Sequence, residues 1–174
     1  MMIVNKVEFR AIEEYDLELL MNYRNKLKSV FRQYKTLNKK NQEQWFKFIN
    51  ESDSVEMFGI MINGNEHLSG VCGLCYISWV NRTAEVSFFI GDAFYKGGEA
   101  EEIAVKMLID KAFNEFNLNR LWIETYEHNT TNQVLFKKCG FVQEGILRDH
   151  VYKDGKYRDS YISGLLKKEW KIND

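Results

Sequence analysis

Two adjacent glycines, Gly97 and Gly98, stand where an alternating strand pattern over 83–91 gives way to a helical one. Glycines let main-chain N–H groups come close to a ligand, and a helix start carries about half a positive charge. Such a turn suits a pyrophosphate. Neither the GKS or GKT ending of a P-loop nor a GxGxxG is present, and a plain strand-to-helix turn also explains the pair. Cys72 and Cys75 form a CxxC, but the segment GVCGLCYISWV that carries it reads as a strand. Positions three apart on a strand face opposite sides, so the two thiols cannot chelate one metal. His67, His128 and His150 are scattered and indicate no metal site. Cys139 precedes a helix-ending glycine, with no histidine at a suggestive spacing. It reads as a small buried hydrophobe before a nucleophile.

These groups need elements to hold them. KVEFRAI (6–12) reads as a strand, and a helix should open near Asp16, an acceptable N-cap, with Leu19, Leu20 and Tyr23 on one face. A second helix runs over 41–50, with Trp45, Phe46 and Ile49 at helical spacing. VEMFGIMINGN ends in an Asn-Gly turn at Asn63 and Gly64, a strong hairpin signal, and LSGVCGLCYISWV is its partner strand. After a turn at Asn81 and Arg82, Ala84, Val86, Phe88 and Ile90 fall on one strand face, with Glu85, Ser87 and Phe89 on the other. A long helix follows, striped by Ile103, Met107, Leu108 and Ala112 and ending near Phe116. RLWIETYEH (120–128) is a strand, NTTNQVLFKKCGF is a helix stopped by Gly140, and the last two strands turn at Asp154 and Gly155. The order β-α-α-β-β-β-α-β-α-β-β implies an α+β fold with a mixed, mostly antiparallel sheet of about seven strands. The crossover through the 98–116 helix makes its flanking strands parallel candidates.

A chain of 174 residues without a linker or repeat is one domain. Its 45% hydrophobic and 28% charged residues exclude a disordered or collagenous chain. Lys plus Arg (24) balance Asp plus Glu (25) to a net charge of -1, so neither nucleic acid nor an anionic membrane is an expected partner. Three cysteines argue against a disulfide framework and for a reducing compartment. The charged N-terminus MMIVNKVEFRAIEEYD lacks an apolar h-region, and no apolar run approaches the ~20 residues of a membrane span. A cytoplasmic protein is the expectation.

Several ordered segments resemble the GCN5-related N-acetyltransferases (GNAT): FRAIEEYDLELLMNYRN, NRTAEVSFFIGDAFYKGG, and the stretch from AVKMLIDKAF to YISGLL. The Asn-opened helix ending in K-K-C-G-F, then E-G-x-L-R and D-G-K-Y, is similar to the subgroup that includes ribosomal-protein N-terminal acetyltransferases. YRN…WFKFI looks like the branch that acetylates nucleotide-linked aminosugars. The resemblance implies a single N-acetyltransferase domain over 1–174 with helices on both faces of the sheet. It implies acetyl-CoA as co-substrate and direct transfer, in a ternary complex, to a primary amine on an aminosugar nucleotide or a peptide or protein N-terminus. Homodimer formation stays open.

The family's pyrophosphate loop, Gln/Arg-x-x-Gly-x-Gly/Ala, falls on Tyr95, Lys96, Gly97, Gly98, Glu99 and Ala100. Tyr stands in the first position, one extra residue precedes the helical pattern, and Glu101 and Glu102 lie just beyond. Pantetheine would run along Phe88, Phe89 and Ile90. Asn129, which an N-cap role explains by itself, would contact the CoA chain, with Phe136 on the helix that follows. An alkylammonium, with a pKa of about 10, cannot attack a thioester until deprotonated. Glu85 stands where the family often has a carboxylate acting through water; an ordinary exposed strand glutamate, or one paired with Arg82, is its plain alternative. The departing thiolate wants a proton, and Phe136 replaces the tyrosine that many members have, so Tyr126 or a water held by Asn129 is the substitute donor. Arg24, Asn25, Gln42, Gln44 and Trp45 belong to the two helices that wall the acceptor site in this family, Trp45 being otherwise core. Phe136 and the altered loop also fit an alternative, a catalytically silent acyl-CoA-binding domain on the same fold.

Overall fold

The computed structural model describes residues 4, 6–28, 31–32 and 35–170; residues 1–3 and 5, part of the segment read for a leader, lie outside the described residues. Seven strands, β1 (Val7–Arg10), β2 (Glu56–Ile62), β3 (Gly70–Ser78), β4 (Thr83–Ile90), β5 (Arg120–Tyr126), β6 (Val142–Lys153) and β7 (Lys156–Leu166), form one sheet. Their order is β1-β2-β3-β4-β5-β7-β6. Among the described residues only β4 and β5 pair in parallel. Helices α1 (Leu17–Lys26), α2 (Lys39–Glu51), α3 (Glu99–Asp110) and α4 (Thr130–Lys138) complete the α+β order implied by the pattern.

Alternation along the strands sends side chains to two cores. Ala84, Val86, Phe88 and Ile90 of β4 join Cys72 and Leu74 of β3 beneath α3 and α4. Val71 of β3 faces a smaller core with Leu17 and Leu20 of α1, against which Phe89 and Trp45, Phe46 and Ile49 of α2 pack. Helices therefore cover both faces. Gly140, at φ 94, ends α4, and the Phe141 N–H closes the cap by donating to the Phe136 carbonyl at 3.0 Å. Asp154 and Gly155, at φ 52 and 78, make the two-residue turn between β6 and β7.

Three local expectations need correction. Asp16 does not cap α1: its carboxylate takes both guanidinium arms of Arg10 at 2.7 Å and the Glu13 N–H at 2.9 Å, tying β1 to the turn before the helix. On α3 Leu108 is fully buried as expected, together with Ala100, Ala104, Val105 and Ile109, while Ile103 and Met107 are only partly buried. The buried stripe is thus rotated toward the two alanines, whose small side chains let the first turns of the helix lie close to the sheet. Asn63 and Gly64 do turn with positive φ and β2 pairs antiparallel with β3 as expected, but the hairpin is not tight: the Asn63 N–H donates to the Lys6 carbonyl just before β1, and β3 starts only at Gly70.

The feature that makes a site is where the sheet opens. β4 and β5 pair only over Thr83–Glu85 and Arg120–Trp122. Beyond that point β5 stays on β7 as far as Tyr126, while β4 stays on β3. The facing edges of β4 and β5 diverge, leaving main-chain groups of Val86–Ile90 without a strand partner on that side. On its other side β3 bulges between Cys75 and Ser78, with Tyr76 at φ 49.

Candidate active site

A cavity of about 350 Å³ fills the splay. β4 lends it Glu85 to Phe88, β5 lends Ile123 to Tyr126, and α4 contributes Asn129 and Asn132. The α1–α2 side closes it with Arg24, Phe31, Arg32 and Phe48.

Glu85 is 6% exposed. Both its oxygens accept from Arg32, at 2.6 and 3.1 Å, and the same guanidinium donates to Glu124 at 2.6 Å. Arg32 thus bridges two buried carboxylates on adjacent diverging strands. The pairing of Glu85 with Arg82 does not occur; Arg82 sits in the β4 turn at φ 53, where its carbonyl accepts from Asn119 and Arg120. Glu124 escaped sequence reasoning, although a signal existed. Alternation along RLWIETY puts Glu124 on the same strand face as Trp122, and the parallel register of the structure then sets Trp122 opposite Glu85. His150 of β6 also approaches Glu124, its Nε2 3.4 Å from the second oxygen.

Tyr126 is buried in the cavity wall. Burial first, then the Glu124 charge, pushes its phenol above the ordinary value, so the proton is retained at neutral pH. Cys75 also lines the cavity, and burial followed by the Glu85 charge pushes its thiol up to about 11. A protonated thiol is a poor nucleophile, so an acyl-cysteine route is disfavoured. Cys72 lies in the main core.

Asn129 lines the cavity, and its Oδ1 accepts the Asn132 N–H at 3.4 Å, a long version of the expected cap. Phe136 is a correction: it is 2% exposed, edge-on to Phe88 and Phe141, and forms no part of the cavity wall. The helical period of α4 turns it into the core. Phe89 and Ile90 likewise keep their side chains out of the cavity, Phe89 against Phe31 on the other face and Ile90 in the main core. Of that trio only Phe88 offers its side chain; the other two could take part through the main chain of the open edge.

Among the helix residues, Arg24 alone of the five expected lines the cavity. Asn25 spends its amide on the Leu37 main chain, donating at 2.9 Å and accepting at 2.8 Å, which pins the connection into α2. Gln42 is buried away from the cavity, Gln44 is exposed and Trp45 packs in the smaller core. α2 offers Phe48 instead.

The glycine loop lies beyond this cavity, past the far end of β4. Gly97 has φ 72, and Gly98 precedes the first turn of α3. The first N–H groups of a helix have no partner within it, which leaves donors at Glu99 and Ala100. The Tyr95 side chain is buried, its hydroxyl accepting from Asn65 at 3.3 Å, so only its main chain faces the loop's task. Glu101 is also buried; desolvation raises its pKa, opposed by the Gly97 N–H and the Lys96 charge. The loop therefore carries its own carboxylate against one donor.

This architecture is that of known acetyltransferases. The crystal structure of spermidine N-acetyltransferase from Vibrio cholerae, in complex with CoA and spermine, matches with a TM-score of 0.87 over 94% of this chain and 96% of that one, at 22% identity. The family follows from the sequence itself: the acetyltransferase (GNAT) domain model matches residues 6–142, and the chain belongs to that family. Relatives include the uncharacterized N-acetyltransferase p20 of Bacillus licheniformis, 34% identical over 65% of this chain. YdaF of Bacillus subtilis (strain 168), provisionally named a ribosomal N-acetyltransferase, is 34% identical over 64% of it. The matches span 63% and 60% of those relatives' own length. No helix among the described residues is long and apolar enough to cross a membrane.

Proposed function

We propose that the chain transfers the acetyl group of acetyl-CoA to a primary amine, in one step within a ternary complex. The observation that carries this is the splay of β4 from β5, which puts an open strand edge, a buried carboxylate and a protonated phenol around one cavity. The pantetheine amides would pair with the free edge of Val86–Ile90 as an added strand, and the pyrophosphate would take the N–H groups of Lys96–Ala100, displacing the Glu101 carboxylate from that of Gly97. Glu85, released by Arg32 from at least one oxygen, would accept the ammonium proton, directly or through water. The neutral nitrogen then forms its bond to the thioester carbonyl. As the carbon–sulfur bond breaks, Tyr126 gives its proton to the departing thiolate, and the nitrogen's second proton passes, directly or through water, back to the Tyr126 oxygen, leaving a neutral amide, CoA thiol and one proton on Glu85 to be lost to solvent.

For the acceptor, an aminosugar nucleotide or a peptide N-terminus remains our reading. A polyamine is the competing one, supported by the spermidine enzyme of like fold and by two buried carboxylates. Against it, both carboxylates are already engaged by Arg32, and Arg24 adds a second positive charge to the lining, so the cavity offers a polycation no net attraction. Homodimer formation belongs to the same proposal, because the edge strand β6 exposes Val142, Ile146 and Tyr152, apolar surface that a second copy would cover. Release of CoA thiol, followed with a panel of aminosugar nucleotides, peptides and polyamines, tests the reading. A silent CoA-binding domain would be stabilised by acetyl-CoA yet release no thiol with any of them.

A further inference from the structure

Four charged side chains line the cavity, and their pairing is uneven. Arg32 answers Glu85 and Glu124 together. Arg24, in the last turn of α1, is left over: among the described residues no carboxylate pairs with it. Its guanidinium lies 5.6 Å from the centre of the Phe31 ring, and its one charged or titratable neighbour of note, Cys75, is an uncharged thiol at neutral pH. A guanidinium withdrawn from water without a counter-charge is disfavoured, and burial indeed pulls the Arg24 pKa below its ordinary value. The end of α1 tolerates a cation through the helix dipole, but that holds equally for Lys26, which points to solvent. It gives no reason for a guanidinium in the cavity wall.

The missing anion is not the CoA pyrophosphate. That group has its own expected donors at the start of α3, and none of residues 95–100 borders this cavity. Arg24 sits at the α1–α2 side, where the acceptor would enter. A guanidinium stacked on a ring presents a fixed fork of N–H donors, the geometry that captures phosphate or carboxylate two-pronged.

We propose that Arg24 is the anion subsite of the acceptor: the amine to be acetylated also carries a phosphate or carboxylate, which forks onto Arg24 while its nitrogen reaches toward Glu85. This rests on the amine-acceptor reading above and narrows it to molecules holding both charges. Phe48 and Tyr76, more than half exposed at the cavity wall, offer the body of such a molecule apolar surface.

The test is calorimetric binding to the full chain with CoA saturating, so that the pyrophosphate subsite is filled. Two matched pairs serve as probes: glucosamine with its 6-phosphate, and alaninamide with alanine. The first pair reads phosphate, the second carboxylate, and spermidine is the polycation control. In at least one pair the anionic member should bind about ten-fold tighter or more. That ratio should fall to within roughly two-fold of unity in Arg24→Gln, recover in part in Arg24→Lys, and shrink as salt is raised. Equal binding within both pairs overturns the proposal, as does a ratio that survives Arg24→Gln, or spermidine binding tighter than both anionic probes. Should Arg24→Gln fail to fold, the wild-type salt series and Arg24→Lys decide; a ratio indifferent to salt counts against the subsite. Thiol release separates this inference from the one beneath it. A binding ratio without acetyl transfer to any amine sinks the transfer reading and leaves the subsite standing. Equal transfer to neutral and anionic amines, with equal binding, does the reverse.

Discussion

A carboxylate locked onto an arginine is a poor base until the arginine lets go, and Glu85 has both oxygens on Arg32. The acceptor's ammonium is the natural competitor for that place, since it brings the same charge. Glu85→Gln keeps the shape and removes the basicity, so kcat with an alkylamine acceptor should fall about 10²-fold at pH 7. The deficit should narrow as pH rises and free amine becomes abundant, with acetyl-CoA affinity little changed because the expected pyrophosphate loop is remote from Glu85. An unaltered rate at neutral pH would move the base elsewhere. Tyr126 tests the other proton. Its pKa is raised by burial and by Glu124, so the acid form survives to higher pH than in a free phenol, whose pKa is about 10. The alkaline fall of kcat should begin above that value, and Tyr126→Phe should abolish the fall while lowering kcat about ten-fold, where a dedicated general acid would be worth 10²–10⁴. A pH–rate series on the two proteins reads both effects, and an alkaline limb that survives the substitution would rule the phenol out as donor.

At the scale of elements, the start of α3 and the inward face of α4 make separate tests. A Cβ added at Gly98 would meet only the Tyr95 carbonyl, at 3.6 Å, an ordinary contact. Gly98→Val should therefore fold normally, yet obstruct a phosphate close to the main chain and weaken acetyl-CoA binding about ten-fold, or about 1.4 kcal/mol. Unchanged affinity in a titration would remove the loop from the site. Gly97 is a less clean probe, since φ 72 strains any side chain there. On α4, Phe136→Tyr adds a hydroxyl at a position 2% exposed and ringed by Phe88 and Phe141. Leaving that hydroxyl unpaired should destabilise the fold by about 1–3 kcal/mol while changing kcat less than ten-fold. Thermal melts and rates on one preparation decide it; a large gain in rate with no loss of stability would mean that Phe136 turns toward the thioester after all, and that the enzyme is an impaired one.

For the whole molecule, the two cores on opposite faces leave the splay as the weakly tied seam, because β4 and β5 share only three residue pairs. A ligand laid along that seam would add the missing strand contacts to the folded state alone. Acetyl-CoA at about 100 times its dissociation constant should stabilise the chain by about 2.7 kcal/mol, a rise of roughly 5–10 °C in Tm for a domain of this size. Gly98→Val should lose most of that rise at equal ligand concentration, and Glu85→Gln should keep it. A melt insensitive to acetyl-CoA would contradict the placement of its chain along β4.

Local chemistry was legible in the sequence. Alternation over 83–90 sorted Phe88 from Phe89, and glycine and Asp-Gly turn chemistry marked Gly140 and the Asp154-Gly155 turn, because these preferences act within a few residues of the backbone; the long crossover helix made β4 and β5 parallel candidates, and they do pair in parallel. Family segments then named the loop at Gly97 and Gly98 and the carboxylate at Glu85. What no local rule could supply was the length of the parallel pairing, which decides where the sheet opens. It was also silent on the partner of Glu85: Arg32 lies 53 residues away from it and 92 from Glu124. The same holds for Phe136, whose core-facing turn follows from how α4 docks, and for Asp16, whose carboxylate found Arg10 before any helix N–H. Arg24 was visible as a residue of the helices expected to wall an acceptor, but its lack of a counter-charge shows only in the structure, where Arg32 takes both carboxylates of the cavity. Side-chain partnership depends on register and docking between distant segments, and those are fixed by packing of the whole chain.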